Sequence, residues 1–380
     1  MKILLSSTQY PGNGGAATNL YKLNKYLLSK NIKVYCVFFL CNKEDTTKIN
    51  IDPDKLGNVS FIRCFWKDGN LLDYNKKTNQ YIKYSDDYIS NFKNKIIDYL
   101  DGEPDVIYAK NYLAPITCKK LFPKSKIYYL VSGVFYTSML NNIYDELTSA
   151  QKILNNFDYY KKKINECKNL TTFTNIEQEI YTLKMVDGVI YNSKLTNDLM
   201  NLYYKEHIKE NKIINTSLLK PINNNCENFM SREYDLIFVC SNFGRKIKNS
   251  LFVKELLLDE RLSDINKIII GDGDLFNNLN IKNLTILKQQ SNSIVLDYMK
   301  NSKLLILPSL FDSSPNTVYE ALEYGCNVII SKNVGNYNIF NSDSVCEDIY
   351  DKDEWINKIL NSINKKIINN IEFSDFYLDL

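Results

Sequence analysis

The chain has 380 residues, 44% hydrophobic and 24% charged, and its 47 Lys and Arg against 44 Asp and Glu leave a formal charge of +3. At roughly 150 residues per domain this length predicts two medium domains rather than a mini-protein or a lone binding module, and the balanced charge argues against a dedicated nucleic-acid binder. One histidine in the whole chain, His207 in a charged helical stretch, excludes Ser-His-Asp triads and paired-His metal sites, so catalysis must run on carboxylates, Lys and Arg, backbone amides or the substrate itself.

In chain order, residues 2–6 read as a strand. The glycine loop Gly12-Asn13-Gly14-Gly15 follows, and then a helix over 16–29 with Ala16, Leu20, Leu23 and Leu27 on one face. A strand over 33–40 completes a βαβ unit, and the apolar runs 105–109, 126–131 and 188–191 read as further strands. Residues 136–185 are mostly helical and polar. The pattern breaks over 218–233, around Pro221-Ile222-Asn223-Asn224-Asn225-Cys226, which is read as an interdomain linker. Strand and helix then alternate in short units: strand 235–240, helix 250–258, strands 267–270 and 284–287, helix 293–300, strand 303–307, helix 316–324 and strand 327–331.

Strands apolar throughout their length are those of a parallel sheet between helix layers. The expected architecture is α/β, an N-terminal domain over 1–218, a linker over 219–233 and a C-terminal domain over 234–361, with the tail 362–380 packing back on the N-terminal domain. Two such domains in series imply a cleft between strand carboxyl ends, where open α/β sheets bind ligands. Nine cysteines scattered from Cys36 to Cys346 without a Cys-x-x-Cys pair fit reduced thiols in the cytoplasm. Three consecutive apolar residues at the start are too few for a signal peptide, and no run approaches a membrane span, so the expectation is a soluble protein.

The most specific segment runs from Leu304 through Pro308, Asp312, Ser314, Pro315, Asn316, Thr317, Val318 and Glu320 to Gly325. A strand ends at Pro308, a loop carries Asp312, and a helix opens near Pro315, so its N-terminal amides favour an anion such as a diphosphate. Two acids eight positions apart, Asp312 before the helix and Glu320 in its first turn, are placed to meet the hydroxyls of a nucleotide sugar. Helix stability alone offers another reading, with Thr317-x-x-Glu320 as a capping box and Asp312 as a turn cap.

This stretch resembles the Glu-x7-Glu signature of retaining GT-B glycosyltransferases, most closely glycosyltransferase family 4, and the similarity runs along most of the chain. Gly271-Asp272-Gly273 after an apolar strand is similar to the turn that approaches the nucleotide base in that family. Asn242, Arg245 and Lys248 fall in the segment whose two cations hold the diphosphate. Gly14 and Gly15 resemble the glycine turn on the N-terminal side, and Leu130-Val131-Ser132-Gly133 falls where the family has His-Gly.

The resemblance implies a GT-B fold, two Rossmann-like domains facing each other across a cleft. Its implied reactants are a nucleotide-diphosphate-sugar donor and a glycan, protein or lipid acceptor, with no metal or other cofactor. Arg245, Lys248, Asp312 and Glu320 are the implied catalytic set, and Gly14, Gly15, Ser132, Asn242, Gly271, Asp272, Gly273, Ser314, Pro315, Asn316, Thr317 and Val318 the donor-binding set.

Three positions depart from the family pattern. Asp312 replaces the first Glu, Ser132 replaces a His, and Arg245 and Lys248 stand closer together than usual. Two alternatives stay open at this stage: a degraded homologue that binds nucleotide sugar or glycan as a scaffold, and an epimerase or phosphorylase on the same architecture. The chemistry suits the residues present. Cleaving the anomeric C–O bond builds negative charge on the diphosphate, which fixed cations and helix amides stabilise. Asp-x-Asp, the metal motif of the other large glycosyltransferase fold, occurs at Asp52-Pro53-Asp54, Asp272-Gly273-Asp274 and Asp351-Lys352-Asp353, and is read as chance in an acidic chain. The run Tyr159-Tyr160-Lys161-Lys162-Lys163 is read as a solvated helix face, with peripheral lipid contact as its alternative.

Overall fold

The computed structural model describes residues 1–9, 15–40, 57–63, 65–67, 70–75, 80–144, 147–170, 173–215, 228–277, 279–369 and 371. They divide into two compact units, the first made of Met1–Ser132, Asn169–Asn192 and Tyr203–Leu219, the second of Gly133–Lys168, Ser193–Leu202 and Lys220–Leu380.

In the first unit the apolar runs become strands β1 (Ile3–Ser7), β2 (Val34–Leu40), β7 (Val106–Lys110), β8 (Lys126–Val131) and β9 (Gly188–Tyr191), joined by β3 (Val59–Arg63) and the polar β10 (Glu210–Ile213), neither of which was read from the sequence, at the two edges. They form a seven-stranded sheet in the order β10-β9-β8-β7-β1-β2-β3, parallel throughout. In register, Leu5 lies between Cys36 and Tyr108, and Ser7 between Phe38 and Lys110. A parallel sheet buries both faces, so it needs helices. The helix Gly15–Ser29 buries Leu20, Leu23 and Leu27, and Asp86–Leu100 buries Ile96 and Leu100. The latter is capped at its start by Ser85, whose Oγ accepts from Tyr88 N at 3.2 Å. A separate antiparallel sheet, β4 (Phe65–Lys67), β5 (Asn70–Asn75) and β6 (Gln80–Lys83), was not foreseen from the sequence.

The second unit repeats the plan with β11 (Tyr234–Asn242), β12 (Lys267–Asp272), β13 (Leu284–Leu287), β14 (Ser302–Leu307), β15 (Asn327–Ser331) and β16 (Val345–Cys346). The order is β13-β12-β11-β14-β15-β16, again all parallel. Leu236, Phe238, Ile269, Leu304, Ile306 and Ile329 of the sheet pack with Val253 and Leu256 and with Trp355, Ile356 and Ile359 of the helix Lys352–Ile363. Both units are Rossmann-like. In each sheet the order reverses beside the first strand, at β1/β7 and at β11/β14, and such a reversal leaves a crevice outside the strand carboxyl ends.

Two parts of the expected domain plan differ. Residues 133–168 and 193–202, within the span read as the N-terminal domain, belong to the second unit. The helix Ala150–Asn155 shows the reason: Ala150 N donates to Leu310 O at 2.8 Å, and Gln151 N to Asn333 Oδ1 at 2.8 Å, bonds that a local reading of sequence does not contain. The described tail stays on the second unit as well, because Asn327 ties Ser362 O, Lys365 O and Ile367 N together and Asn341 N donates to Asn369 Oδ1 at 3.0 Å. Residues 216–227, which hold most of the expected linker, and 372–380 lie outside the described residues.

Candidate active site

The switch point of the second sheet brings two loops together. β11 ends at Asn242, whose Oδ1 accepts from Gly244 N at 2.7 Å and so folds the chain into a turn. The turn leads through the exposed Arg245 to Lys248, whose amide donates to Arg245 O at 2.9 Å. From β14, Leu310 N donates to Ile247 O at 2.8 Å, which ties this loop to the first. Directly beyond, the Lys248 ammonium pairs with the Asp312 carboxylate, the two side chains 19% and 15% exposed. The loop after β15 completes the frame: Asp312 N donates to Asn333 O at 3.2 Å, and Gly335 N to Asp312 O at 2.6 Å. Removing one member of a pair this enclosed leaves the other charge poorly solvated, which costs roughly 1–3 kcal/mol.

Glycine is required by close approach at two places. A Cβ on Gly271 would lie 1.8 Å from Cys240 O and 2.8 Å from the Phe243 ring, and one on Gly335 would lie 1.8 Å from Ser313 O and 2.4 Å from Ser193 Oγ. Between Gly271 and Gly273, Asp272 accepts from Phe243 N through its carbonyl at 2.8 Å and from Gln289 N through its carboxylate at 3.1 Å. The turn after β12 is therefore locked against the loop after β11.

The helix Asn316–Glu323 begins after Pro315 with no side-chain cap, and its first turn contains no acid. Thr317 lies inside the helix, so the capping box that was the alternative reading of Thr317-x-x-Glu320 does not form. Glu320 lies one turn further along than expected, in the second turn. The cause is Pro315, which occupies the cap position itself. Ser313 and Ser314 are buried, and Val318, Tyr319, Ala321 and Leu322 anchor the helix, whose first turn, free of acids, has a dipole that favours an anion. Asn249 Nδ2 and Ser309 Oγ, both buried in these loops, lack a hydrogen-bond partner among the described residues.

The second unit thus brings together Asn242, Arg245, Lys248, Gly271, Asp272, Gly273, Asp312, Ser314, Pro315, Asn316, Thr317, Val318 and Glu320 at the carboxyl ends of β11, β12 and β14. Gly15 and Ser132 belong to the first unit, Gly15 opening the helix that follows β1 and Ser132 following β8 with its Oγ 3.4 Å from Asn111 Oδ1. Gly14 lies outside the described residues.

Asn333 and Gly335 were missed. Their only signal in the sequence was a glycine shortly after a short strand with an apolar centre. Of the discounted acids, Asp351 caps a helix by accepting from Glu354 N at 3.0 Å and Asp353 pairs with Arg261, while Asp52 and Asp54 lie outside the described residues. In the Tyr159–Lys163 run, Lys163 sits over the Tyr144 and Tyr159 rings at 4.4 and 4.6 Å, while Lys161 and Lys162 are exposed. Within the described residues no helix is long and apolar enough to cross a membrane.

Comparison with known proteins adds to this geometry. Residues 231–371 match the family model described as Glycosyl transferases group 1. The chain is 27% identical over 308 residues, 73% of this chain and 78% of the other, to the capsular polysaccharide biosynthesis glycosyltransferase CapH of Staphylococcus aureus. It is 26% identical over 147 residues to the Escherichia coli UDP-Gal:alpha-D-GlcNAc-diphosphoundecaprenol alpha-1,3-galactosyltransferase, a match covering 35% of this chain and only 38% of that enzyme. Among solved structures, S. aureus TarM in complex with fondaparinux, alpha-GlcNAc-glycerol and UDP superposes with a TM-score of 0.62 at 11% identity, covering 96% of this chain and 93% of TarM. That likeness speaks for the fold alone.

Proposed function

For this chain of GT-B fold, whose residues 231–371 match the glycosyl transferases group 1 family model, we propose that it is a glycosyltransferase that moves a sugar from a nucleotide-diphosphate-sugar donor to a glycan-building acceptor, with retention of anomeric configuration and without a metal. The observation that carries this reading is the meeting of Lys248 and Asp312 at the switch point of the second sheet, which sets a cation and a carboxylate side by side where a phosphate and a sugar hydroxyl are neighbours in a nucleotide sugar. Arg245 and Lys248 take the diphosphate, with the first turn of the helix Asn316–Glu323 as further anion support. Gly271, Asp272 and Gly273 line the base side, and Asp312 and Glu320 accept from sugar and ribose hydroxyls.

As the anomeric bond breaks, negative charge collects on the leaving phosphate, and fixed cations that need no reorganisation lower that barrier. The departing phosphate oxygen accepts the proton of the attacking hydroxyl on the same face of the sugar, so no histidine is required. The donor and acceptor named for the E. coli relative, a UDP-sugar and a sugar diphospholipid, and the capsular role named for CapH both support a polymer-building acceptor. Buried free thiols at Cys36, Cys118, Cys167, Cys240, Cys326 and Cys346 support a cytoplasmic location.

The test is a thermal-shift screen of nucleotide sugars, followed by release of free nucleoside diphosphate with and without acceptor and NMR assignment of the product anomer. Arg245→Ala is expected to weaken nucleoside-diphosphate binding about tenfold or more, one charge-assisted phosphate contact being worth roughly 1.5–3 kcal/mol. Donor binding without turnover against a broad acceptor panel would favour the scaffold alternative. An inverted product would refute retention.

A further inference from the structure

Lys110 closes β7 beside β1, at the switch point of the first unit's sheet. It is 3% exposed, and no hydrogen bond or ion pair reaches its ammonium among the described residues. Burial pushes it down to about 8, with no neighbouring carboxylate to hold it up. At neutral pH it is still mostly protonated, a nearly enclosed cation without a counter-ion.

The other deeply buried strand lysine among the described residues shows how such a charge is satisfied when it is structural. Lys267 donates to Leu262 O at 2.6 Å and Ile265 O at 2.8 Å. Lys110 has no such carbonyls. Around its strand end the chain collects neutral polar groups instead. Ser7 is its register partner on β1, and Asn111, in the left-handed region at φ 66°, donates through Nδ2 to Thr8 Oγ1 at 3.1 Å and accepts from Ser132 Oγ at 3.4 Å. Hydroxyl and amide groups thus gather at the ends of the three adjacent strands β1, β7 and β8, the same sheet edge at which Lys110 closes its strand and where open α/β sheets receive ligands. A buried cation of this kind is stabilised by an anion that arrives with its own hydrogen-bond acceptors.

We propose that Lys110 is the charge anchor of an oxyanion-binding site on the first unit, and that the acceptor presents a phosphoryl or carboxylate group to it. Only the word acceptor rests on the glycosyl-transfer reading; the binding of an oxyanion at Lys110 does not.

The experiment compares the full chain with Lys110→Met, Lys110→Gln and Arg245→Ala by thermal shift and calorimetry, in oxyanion-free buffer titrated with inorganic phosphate or with acetate. Both Lys110 variants are expected to lose about tenfold or more in affinity for one or both anions, while Arg245→Ala, altered in the other unit, keeps the Lys110-dependent binding. A response to phosphate alone assigns a phosphoryl ligand, to acetate alone a carboxylate, and to both a site open to either. Equal anion binding by the unaltered chain and both Lys110 variants overturns the proposal.

Should neither variant fold, trinitrobenzenesulfonate labelling of the unaltered protein, read by peptide mass spectrometry, decides the matter. Labelling of Lys110 suppressed by phosphate or acetate supports the site, and a Lys110 that is unlabelled or unprotected refutes it. Failure of sugar transfer with Lys110-dependent anion binding intact would overturn the enzymatic reading and leave this one standing.

Discussion

Glu179 offers the sharpest quantitative test of the first unit's packing. It lies fully buried in the helix Thr174–Met185, with Oε1 accepting from the Tyr129 hydroxyl at 3.0 Å. Burial pushes its carboxyl up to about 7, against the opposing pull of the Tyr204 and Tyr129 hydroxyls. In the unfolded chain it returns to its ordinary value near 4.5. Between those two values the folded protein holds a proton that the unfolded chain has released. Stability therefore falls as pH rises from about 4.5 to about 7 and is flat above.

The gap of about 2.5, at about 1.4 kcal/mol for each, amounts to about 3 kcal/mol. Glu179→Gln keeps an oxygen for Tyr129 and removes the charge. The variant should lie within about 1 kcal/mol of the unaltered protein near pH 5 and exceed it by about 3 kcal/mol near pH 8. Urea unfolding followed by far-ultraviolet circular dichroism across that range measures the difference, in which all other titrating groups cancel. A difference that does not change with pH, or a variant less stable near pH 8, would refute the assignment of a carboxyl that is neutral when folded.

Stability measurements test the candidate active site at its glycine turn and at its ion pair. Gly271→Ala forces a Cβ to within 1.8 Å of Cys240 O and should lower stability by about 1–3 kcal/mol in urea unfolding. Gly133→Ala, with nothing within 4 Å, should stay within about 0.5 kcal/mol and serves as the control. Lys248→Met should cost roughly 1–3 kcal/mol by stranding Asp312, and adding Asp312→Asn should recover part of that loss. Strictly additive losses in this double-mutant cycle would show that the pair contributes nothing.

The strands were legible wherever burial on both faces made them continuous apolar runs, as in Val34–Leu40. β10, Glu-Asn-Lys-Ile, was not: an exposed edge strand has no apolar pattern to betray it. The carboxylate segment around Asp312 and the turn at Gly271–Gly273 were visible because strand, loop and helix start follow one another locally. The pairing of Lys248 with Asp312, 64 positions apart, was not. It depends on β12 and β13 lying to one side of β11 while β14 returns to the other, and sheet order is not written in either loop. The helix-stability alternative for Thr317-x-x-Glu320 fails for a reason equally local, since Pro315, two residues before Thr317, takes the cap position.

The chain passes from one unit to the other after residues 132, 168, 192, 202 and 219. This bears on how the protein is made. On the ribosome neither unit is a finished piece when the other begins, and the sheet that carries Asp312 waits for strands synthesised last while the helix Ala150–Asn155 is already complete. A shortened gene starting at residue 220 would encode the whole six-stranded sheet yet omit that helix, leaving Leu310 O and Asn333 Oδ1 without the amides of Ala150 and Gln151. The stretch carrying the family signature thus leaves out the helix whose amides bond the loops on either side of its own carboxylate.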